Sequence, residues 1–341
     1  MKRAIFFARL LFVALLTGGL TGGLAGGAHA ASFDCAKAAT AMEKTICASP
    51  DLSRADDRLA AAFGAALGGV SADGRTILRA NERQFLQYAA DLCHPGGAAD
   101  GADCLTDVFS HRAEQLDHAV VHIGGRTFMP VSAFHIVPAE DGGAPCSHIL
   151  TRQQIDAPAT PADRDWNLWA KAAVEDAYRN SDAVSNGAPM AGVDALVRMD
   201  IAAASPDLID VSLGTAVIDM TAHNSETSAI WLTRVRRELK ADDLFDAGKP
   251  WATALAPLAQ RRLESYDAEP PEQGFHKIRR IDEDGNWHLT PQGLRIDYPD
   301  GVLADGPASA ATTLLSWAEL RPWLKSGLPF DPARIQVAPD R

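Results

Sequence analysis

Positive charge is the first thing this sequence has too little of: 32 Lys and Arg stand against 44 Asp and Glu in 341 residues, a formal net charge of −12. Affinity for phosphate backbones rests on Lys and Arg contacts that release counterions, so a nucleic-acid binder is disfavoured and a basic partner is favoured. Past the first thirty residues no apolar run of about 20 residues escapes interruption by charge, which excludes a further transmembrane helix. Catalytic motifs are missing too. There is no G-x-S-x-G elbow, no S-x-x-K, no H-E-x-x-H and no glycine-rich phosphate loop after a strand, so the expectation is a protein that is not an enzyme and needs no cofactor or metal.

What the chain does have is 47% hydrophobic content with 7% aromatics, a globular composition. At roughly 150 residues per domain the length suggests two domains, each with its own core. Lys2, Arg3 and Arg9 precede the apolar run from Leu10 to Leu16, and Ala28-His29-Ala30 supplies small residues for cleavage, so residues 1–30 read as a secretory signal peptide. Cutting there lowers the basic count from 32 to 29 against 44 acids, leaving −15. Ala-Ser-Phe-Asp before Cys35 does not suit lipid attachment, so a periplasmic or secreted protein without a membrane anchor is expected.

There are five cysteines. In an exported chain Cys35, Cys47, Cys93 and Cys104 are expected to be oxidised, and four cysteines allow three connectivities between which sequence does not choose. The preferred pairing joins Cys35 to Cys47 and Cys93 to Cys104, because each closes a short segment beside a helix end. Zinc is the rival reading, but no C-x2-C pair is present. Cys146 stands alone, as a buried bystander or an intermolecular partner.

Around these cysteines the periodicity is helical. Ser49-Pro50-Asp51 opens a helix carrying Leu52, Leu59, Phe63 and Leu67, and Gly68-Gly69 stops it. A second runs from about Asp73 to Leu92, broken by His94-Pro95-Gly96-Gly97, and a third from about Asp103 to Val120 carries Leu105, Val108, Phe109 and Leu116. Phe33-Asp34-Cys35-Ala36-Lys37-Ala38, Glu43-Lys44-Thr45-Ile46-Cys47, Leu52-Ser53-Arg54-Ala55-Asp56 with Leu59, then Glu82-Arg83-Gln84-Phe85-Leu86, Cys93, Cys104 and Arg112 to Leu116 resemble the LprI-type lysozyme-inhibitor family. The resemblance covers about residues 33–118, with Phe85 where the family usually has Trp and Ala55 where Leu is common. It implies a helical module over residues 31–122 and lysozyme as a partner.

Beyond Gly124-Gly125 the pattern changes. A β-prone run from Phe128 to Val137 is followed by a loop from Pro138 to Pro145, and Pro161-Ala162-Asp163 opens a helix with Trp166, Trp169, Ala173 and Ala177. Val193 to Ile201, Leu208 to Met220 and Thr227 to Val235 read as strands, Asp242 to Phe245 as a turn, Pro250 to Tyr266 as a helix. A hairpin from Trp287 to Tyr298 pivots on Pro291-Gln292-Gly293; strand Thr312 to Leu315 and helix Trp317 to Leu324 close the pattern. The fold class is therefore α+β with two domains: an N-terminal disulfide-stapled three-helix module, and over residues 123–341 an antiparallel sheet packed against helices.

Pro206-Asp207-Leu208-Ile209-Asp210-Val211, Ala222-His223, Leu239 with Asp243-Leu244-Phe245, Leu289-Thr290 with Gly293-Leu294-Arg295-Ile296, and Ser316-Trp317-Ala318-Glu319-Leu320 are similar, in that order, to the C-terminal domain of RsiV-type anti-sigma factors and PdaC-type peptidoglycan deacetylases. In the RsiV type this domain binds lysozyme. Here Thr221 stands where a Gly is usual, and the loop after the last hairpin reads Pro299-Asp300-Gly301-Val302-Leu303-Ala304-Asp305-Gly306-Pro307.

The resemblances together imply an envelope protein that captures lysozyme and occludes its substrate cleft, with Tyr298, Asp300, Asp305 and His223 as candidate contacts. The alternatives are a deacetylase relative using His118 and His122, spaced to share a helix face, and a non-catalytic peptidoglycan binder. Asp56-Asp57, Asp242-Asp243 and Asp282-Glu283-Asp284 read as solvated acids. Arg234, Arg236 and Arg237 read as the solvent edge of a strand, and Trp166 with Trp169 as core rather than a glycan platform.

Overall fold

Capping sets the first helices. In the computed structural model, which describes residues 31–94, 100–117, 119–139, 145–218, 222–265, 274–283, 285–299, 301–303 and 310–339, α1 (Ala41–Ala48) begins where Thr40 Oγ1 accepts from the Glu43 amide and Glu43 accepts from the Thr40 amide. This helix adds a fourth to the three expected. Helix α2 (Pro50–Gly68) starts with Ser49 as its cap and Pro50 at its first position, and α3 (Ala72–Cys93) runs from a Ser71 cap to His94, whose φ of 47° ends it. Both disulfides form as preferred: Cys35 with Cys47, and Cys93 with Cys104, the latter tying the end of α3 to α4 (Asp100–Leu116). Cys146 carries a half-buried free thiol.

Helix α4 stops at Leu116, short of the expected Val120. Val121 and Ile123 instead belong to β1 (Val121–Ile123), which turns through Gly124 and Gly125, with φ of 60° and 75°, into β2 (Arg126–Val137). Two successive positive-φ residues suit a tight hairpin whose twist matches its strands, and β-branched residues favour the strand side.

Strand β3 (Cys146–Ile155) follows, where no strand was expected. Helix α5 (Pro161–Arg179) leads past a small hairpin of β4 (Val184–Ser185) and β5 (Ala188–Pro189) to β6 (Asp194–Ala204), β7 (Leu208–Ile218), β8 (Ala222–Leu232) and β9 (Arg237–Glu238). Next come α6 (Ala241–Leu244), a single helical turn where a plain turn was expected, then α7 (Trp251–Arg261), β10 (Glu264–Ser265), β11 (Asn286–Leu289), β12 (Gly293–Tyr298), β13 (Ala311–Ser316), α8 (Trp317–Leu320) and β14 (Gln336–Val337). Helices α7 and α8 end earlier than the sequence suggested. No helix among the described residues is long and apolar enough to cross a membrane.

The large sheet has the order β1-β2-β3-β6-β7-β8-β9, with β14 also pairing with β6; the smaller one is β10-β13-β12-β11. The expectation of antiparallel pairing fails at one place, because β3 and β6 run parallel and α5 lies in the connection between them. Arg234 and Arg236 do not edge a strand. β8 ends at Leu232, residues 233–236 form the turn, and each arginine of that region meets an acid: Arg234 with Asp207, Arg236 with Asp165, Arg237 with Asp243.

Among the described residues three main cores result. Phe85, Leu105 and Phe109 fill the helical module together with Met129 and Val131 of β2. Trp166 of α5 packs with Phe128, Val197 and Val211 behind the large sheet. Leu208, Ile230 and Leu232 of the large sheet meet Leu294, Ile296, Leu315 and Phe245 in the third, which joins the two sheets.

Candidate partner-binding surface

Pairing registers place Ser132, Thr151, Arg198, Gly214 and Glu226 in one cross-strand row over the large sheet, from β2 to β8. Side chains of one row share a face. The β2 end of the row is covered by the helical module. Asn81 accepts from the Ser132 amide at 3.1 Å and donates to its carbonyl at 2.6 Å, while Arg112 Nη1 donates to Ser132 Oγ at 3.3 Å. Arg112 also donates to Glu82 Oε2 from Nε at 3.2 Å and Nη2 at 3.1 Å, and its guanidinium sits over the rings of Phe85 and Phe134. Burial pushes the Glu82 carboxyl up against the opposing pull of Arg112, and the same burial pulls the guanidinium down against the pull of Glu82. These two residues therefore anchor the module to the sheet and face no partner.

Four residues from Gly214 along β7, at Asp210, the same face is covered by the small sheet. His288 of β11 places Nδ1 2.8 Å from Asp210 Oδ1, and the Leu289 amide donates to Asp210 Oδ2 at 2.7 Å. His288 Nε2 lies 3.7 Å from Asp297, which also pairs with Arg295 at 2.9 Å. Burial pulls the imidazole pKa down, but the charge and hydrogen bond of Asp210, with Asp297 adding, outweigh it and hold it above the ordinary value.

Between these covers a cleft of about 530 Å³ stays open. Its floor includes Arg198, Asp200, Ser212 and Gly214, and its walls include Glu226 of β8 with Asn286 and Asp297 of the small sheet. Arg198 bridges to Asp200 at 2.7 Å, so floor charge is largely balanced, whereas exposed Glu226 adds a negative charge at the rim. A Cβ on Gly214 would meet nothing within 4 Å, so internal packing does not require a glycine in the middle of β7. Among the described residues no cluster of His, Cys, Asp or Glu is arranged to hold a metal ion.

Tyr298, expected at the surface, borders this cleft but is only 1% exposed. Leu294, Ile296 and Tyr298 alternate along β12 toward the core, which turns the ring inward. Asp300 and Asp305 lie outside the described residues, as do the expected signal peptide and His118. His223 pairs with Val217 through the β8–β7 ladder, its side chain likewise outside the description. His122 is on strand β1, exposed, with Nδ1 3.0 Å from Thr127 Oγ1, and so has no place on the helix face proposed for a metal pair. Trp166 is fully buried, and Trp169 packs on it and on Trp231 while donating to Glu238 at 2.7 Å.

The acidic pairs divide. Asp56 is buried and accepts from the Ser32 amide at 2.8 Å; Asp243 is held by Arg237, which lowers its pKa to about 2; Asp282 and Glu283 both meet Arg280. Sequence reasoning missed Arg198, Asp200, Glu226 and the His288–Asp210 pair. Arg198 and Asp200 carried a usable signal, since opposite charges two apart on a strand share a face.

Residues 35–116 match the family model described as lysozyme inhibitor LprI. No curated protein matches the chain. Among solved structures, a DUF3298-family member from Bacteroides fragilis aligns with a TM-score of 0.44 and 10% identity, over 60% of this chain and 96% of its own. A DUF3298-family protein from Pseudomonas aeruginosa aligns with a TM-score of 0.40 and 11% identity, over 58% of this chain and 94% of its own.

Proposed function

We propose that this chain is an exported envelope protein that captures lysozyme and inhibits it by occluding its substrate cleft. The observation that carries the reading is the match of residues 35–116 to the lysozyme-inhibitor family, within which the four cysteines form two disulfides. Charge supports it. Lysozymes of the animal kind are strongly basic, and a chain with net charge −12 favours encounter with such a partner. Exposed Asp103, Asp107 and Glu114 recur along the outer side of α4, so the matched module itself presents acid to solvent. The resemblance of residues 195–325 to RsiV-type lysozyme-binding domains supports the same partner for the second half, with Asp300 and Asp305 as its candidate occluding residues.

Titration calorimetry of residues 31–341 against a c-type lysozyme at two salt concentrations, with cell-wall lysis assayed in parallel, tests it. The expected result is binding that weakens with salt and suppresses lysis. A folded protein that does not bind lysozyme overturns the proposal, and binding to peptidoglycan sacculi in that case would identify the envelope itself as the target.

A further inference from the structure

Among the described residues, most of the outer edge of β8 pairs with no further strand, with Asn286 of β11 reaching it at one carbonyl. Among the described residues β9 pairs only with Trp231 and Leu232, so residues 222–229 have β7 on one side and no strand on the other. Which backbone groups face outward follows from the hydrogen bonds. The Leu239 amide donates to Ile230 O on the β9 side, the Asn286 side chain donates to Glu226 O, and the Thr233 amide donates back to Asp207 O on the β7 side. The register between β7 and β8 is unbroken, and in an antiparallel strand the N–H and C=O of one residue point the same way. Even-numbered residues therefore face out, and Asn224, Glu226 and Ser228 present their amides and carbonyls to the open side, with one carbonyl taken by Asn286.

Open edges invite another strand, and proteins usually block them with Lys, Pro, a bulge or a short edge. Residues 222–229 contain neither Lys nor Pro, and their pairing with β7 has no bulge. Their one charged residue is Glu226, whose carboxylate stands at the rim of the cleft that also holds Asp200 and Asp297. Asp200 pairs with Arg198 and Asp297 with Arg295, so among the described residues Glu226 is the acid of this rim left to meet a ligand, and a positively charged side chain is its complement.

We infer that residues 224–228 of β8 are the docking edge for an extended basic segment of the protein partner, which adds as a further strand while Glu226 receives a Lys or Arg side chain. This rests on the lysozyme-capture reading and names the surface that performs it. Backbone pairing supplies the grip, and the rim selects for positive charge.

Asn224→Pro removes an amide that points out of the sheet and leaves the β7 ladder intact, as an edge position allows. Glu226→Lys reverses the rim charge without touching the backbone. Both variants and the wild-type chain, each checked for an unchanged circular dichroism spectrum, are titrated with c-type lysozyme, and amide hydrogen exchange is followed at residues 224, 226 and 228. The expected result is at least about tenfold weaker binding for each variant, with slowed exchange at those amides in the wild-type complex. If Asn224→Pro does not fold, Glu226→Lys and the exchange measurement decide. Wild-type binding that neither variant weakens, with exchange unchanged at those amides, overturns the docking edge and leaves lysozyme capture standing. Failure of the wild-type chain to bind overturns both. Self-association of the wild-type chain that Asn224→Pro abolishes would give the edge to a second copy and likewise overturn the inference.

Discussion

His288 and Asp210 link the two sheets through a 2.8 Å contact in which neither side chain reaches solvent. The folded state holds the imidazole pKa above its ordinary 6.5, so the pair's stabilisation is complete below that value and is lost as pH rises through the folded pKa. Thermal unfolding followed from about pH 6 to about pH 9 is expected to show a falling midpoint, and Asp210→Asn is expected to flatten that dependence while destabilising the fold by about 3 kcal/mol.

Arg112→Met leaves Glu82 buried without its ion partner, and the expected loss is about 3–5 kcal/mol in urea denaturation. Replacing both residues by apolar ones of similar volume, Glu82→Leu with Arg112→Met, should recover most of it, because two desolvated charges disappear together. A double variant no more stable than the single one would show that the hydrogen bonds to Asn81 and Ser132 carry the effect.

The disulfides close separations of 12 and 11 residues. Loop-closure entropy places the stabilisation from each at about 3 kcal/mol, so Cys93→Ser with Cys104→Ser should lower the unfolding midpoint measurably, and reducing agent should do the same to the wild-type chain.

Gly293→Ala should be poorly tolerated. A Cβ there would lie 2.0 Å from the Leu315 carbonyl oxygen across the β12–β13 pair, so the strands must part, at an expected loss of about 2 kcal/mol or more by calorimetry. Gly214→Ala, with nothing within 4 Å of the added carbon, is the matched control and should leave stability near the wild-type value.

Much of this fold was legible in its punctuation. Ser49-Pro50 and Gly68 bounded α2 correctly, Pro291-Gln292-Gly293 marked the β11–β12 turn, and the alternation of Ile209, Val211 and Leu213 found β7. Strand β3 escaped because Thr151-Arg152-Gln153-Gln154 looks like a polar loop. Thr151 and Gln153 are nonetheless buried, Thr151 with its hydroxyl 2.8 Å from that of Ser132 on the neighbouring strand, and such long-range pairing leaves no local trace. The parallel β3–β6 junction is invisible for the same reason. At the candidate site the acids after Pro299 drew attention through the family resemblance, whereas Glu226 lies on a sheet edge, and edges exist only once strands are ordered.

The hydrogen bond from the Gly124 amide to Gln336 Oε1 spans 212 residues, and β14 pairs with β6 far from it in sequence. The helical module reaches less far, its disulfides closing separations of 12 and 11 residues and its side-chain bonds to the sheet spanning 51 residues from Asn81 to Ser132 and 85 from Ser71 to Asp156. Assembly in time should follow that difference: the stapled helices can form early, while the large sheet waits on distant strands, because contacts across long chain separations slow folding. The two halves, joined through Arg112, would then acquire structure in sequence, with the sheet's open face being the last surface to be completed.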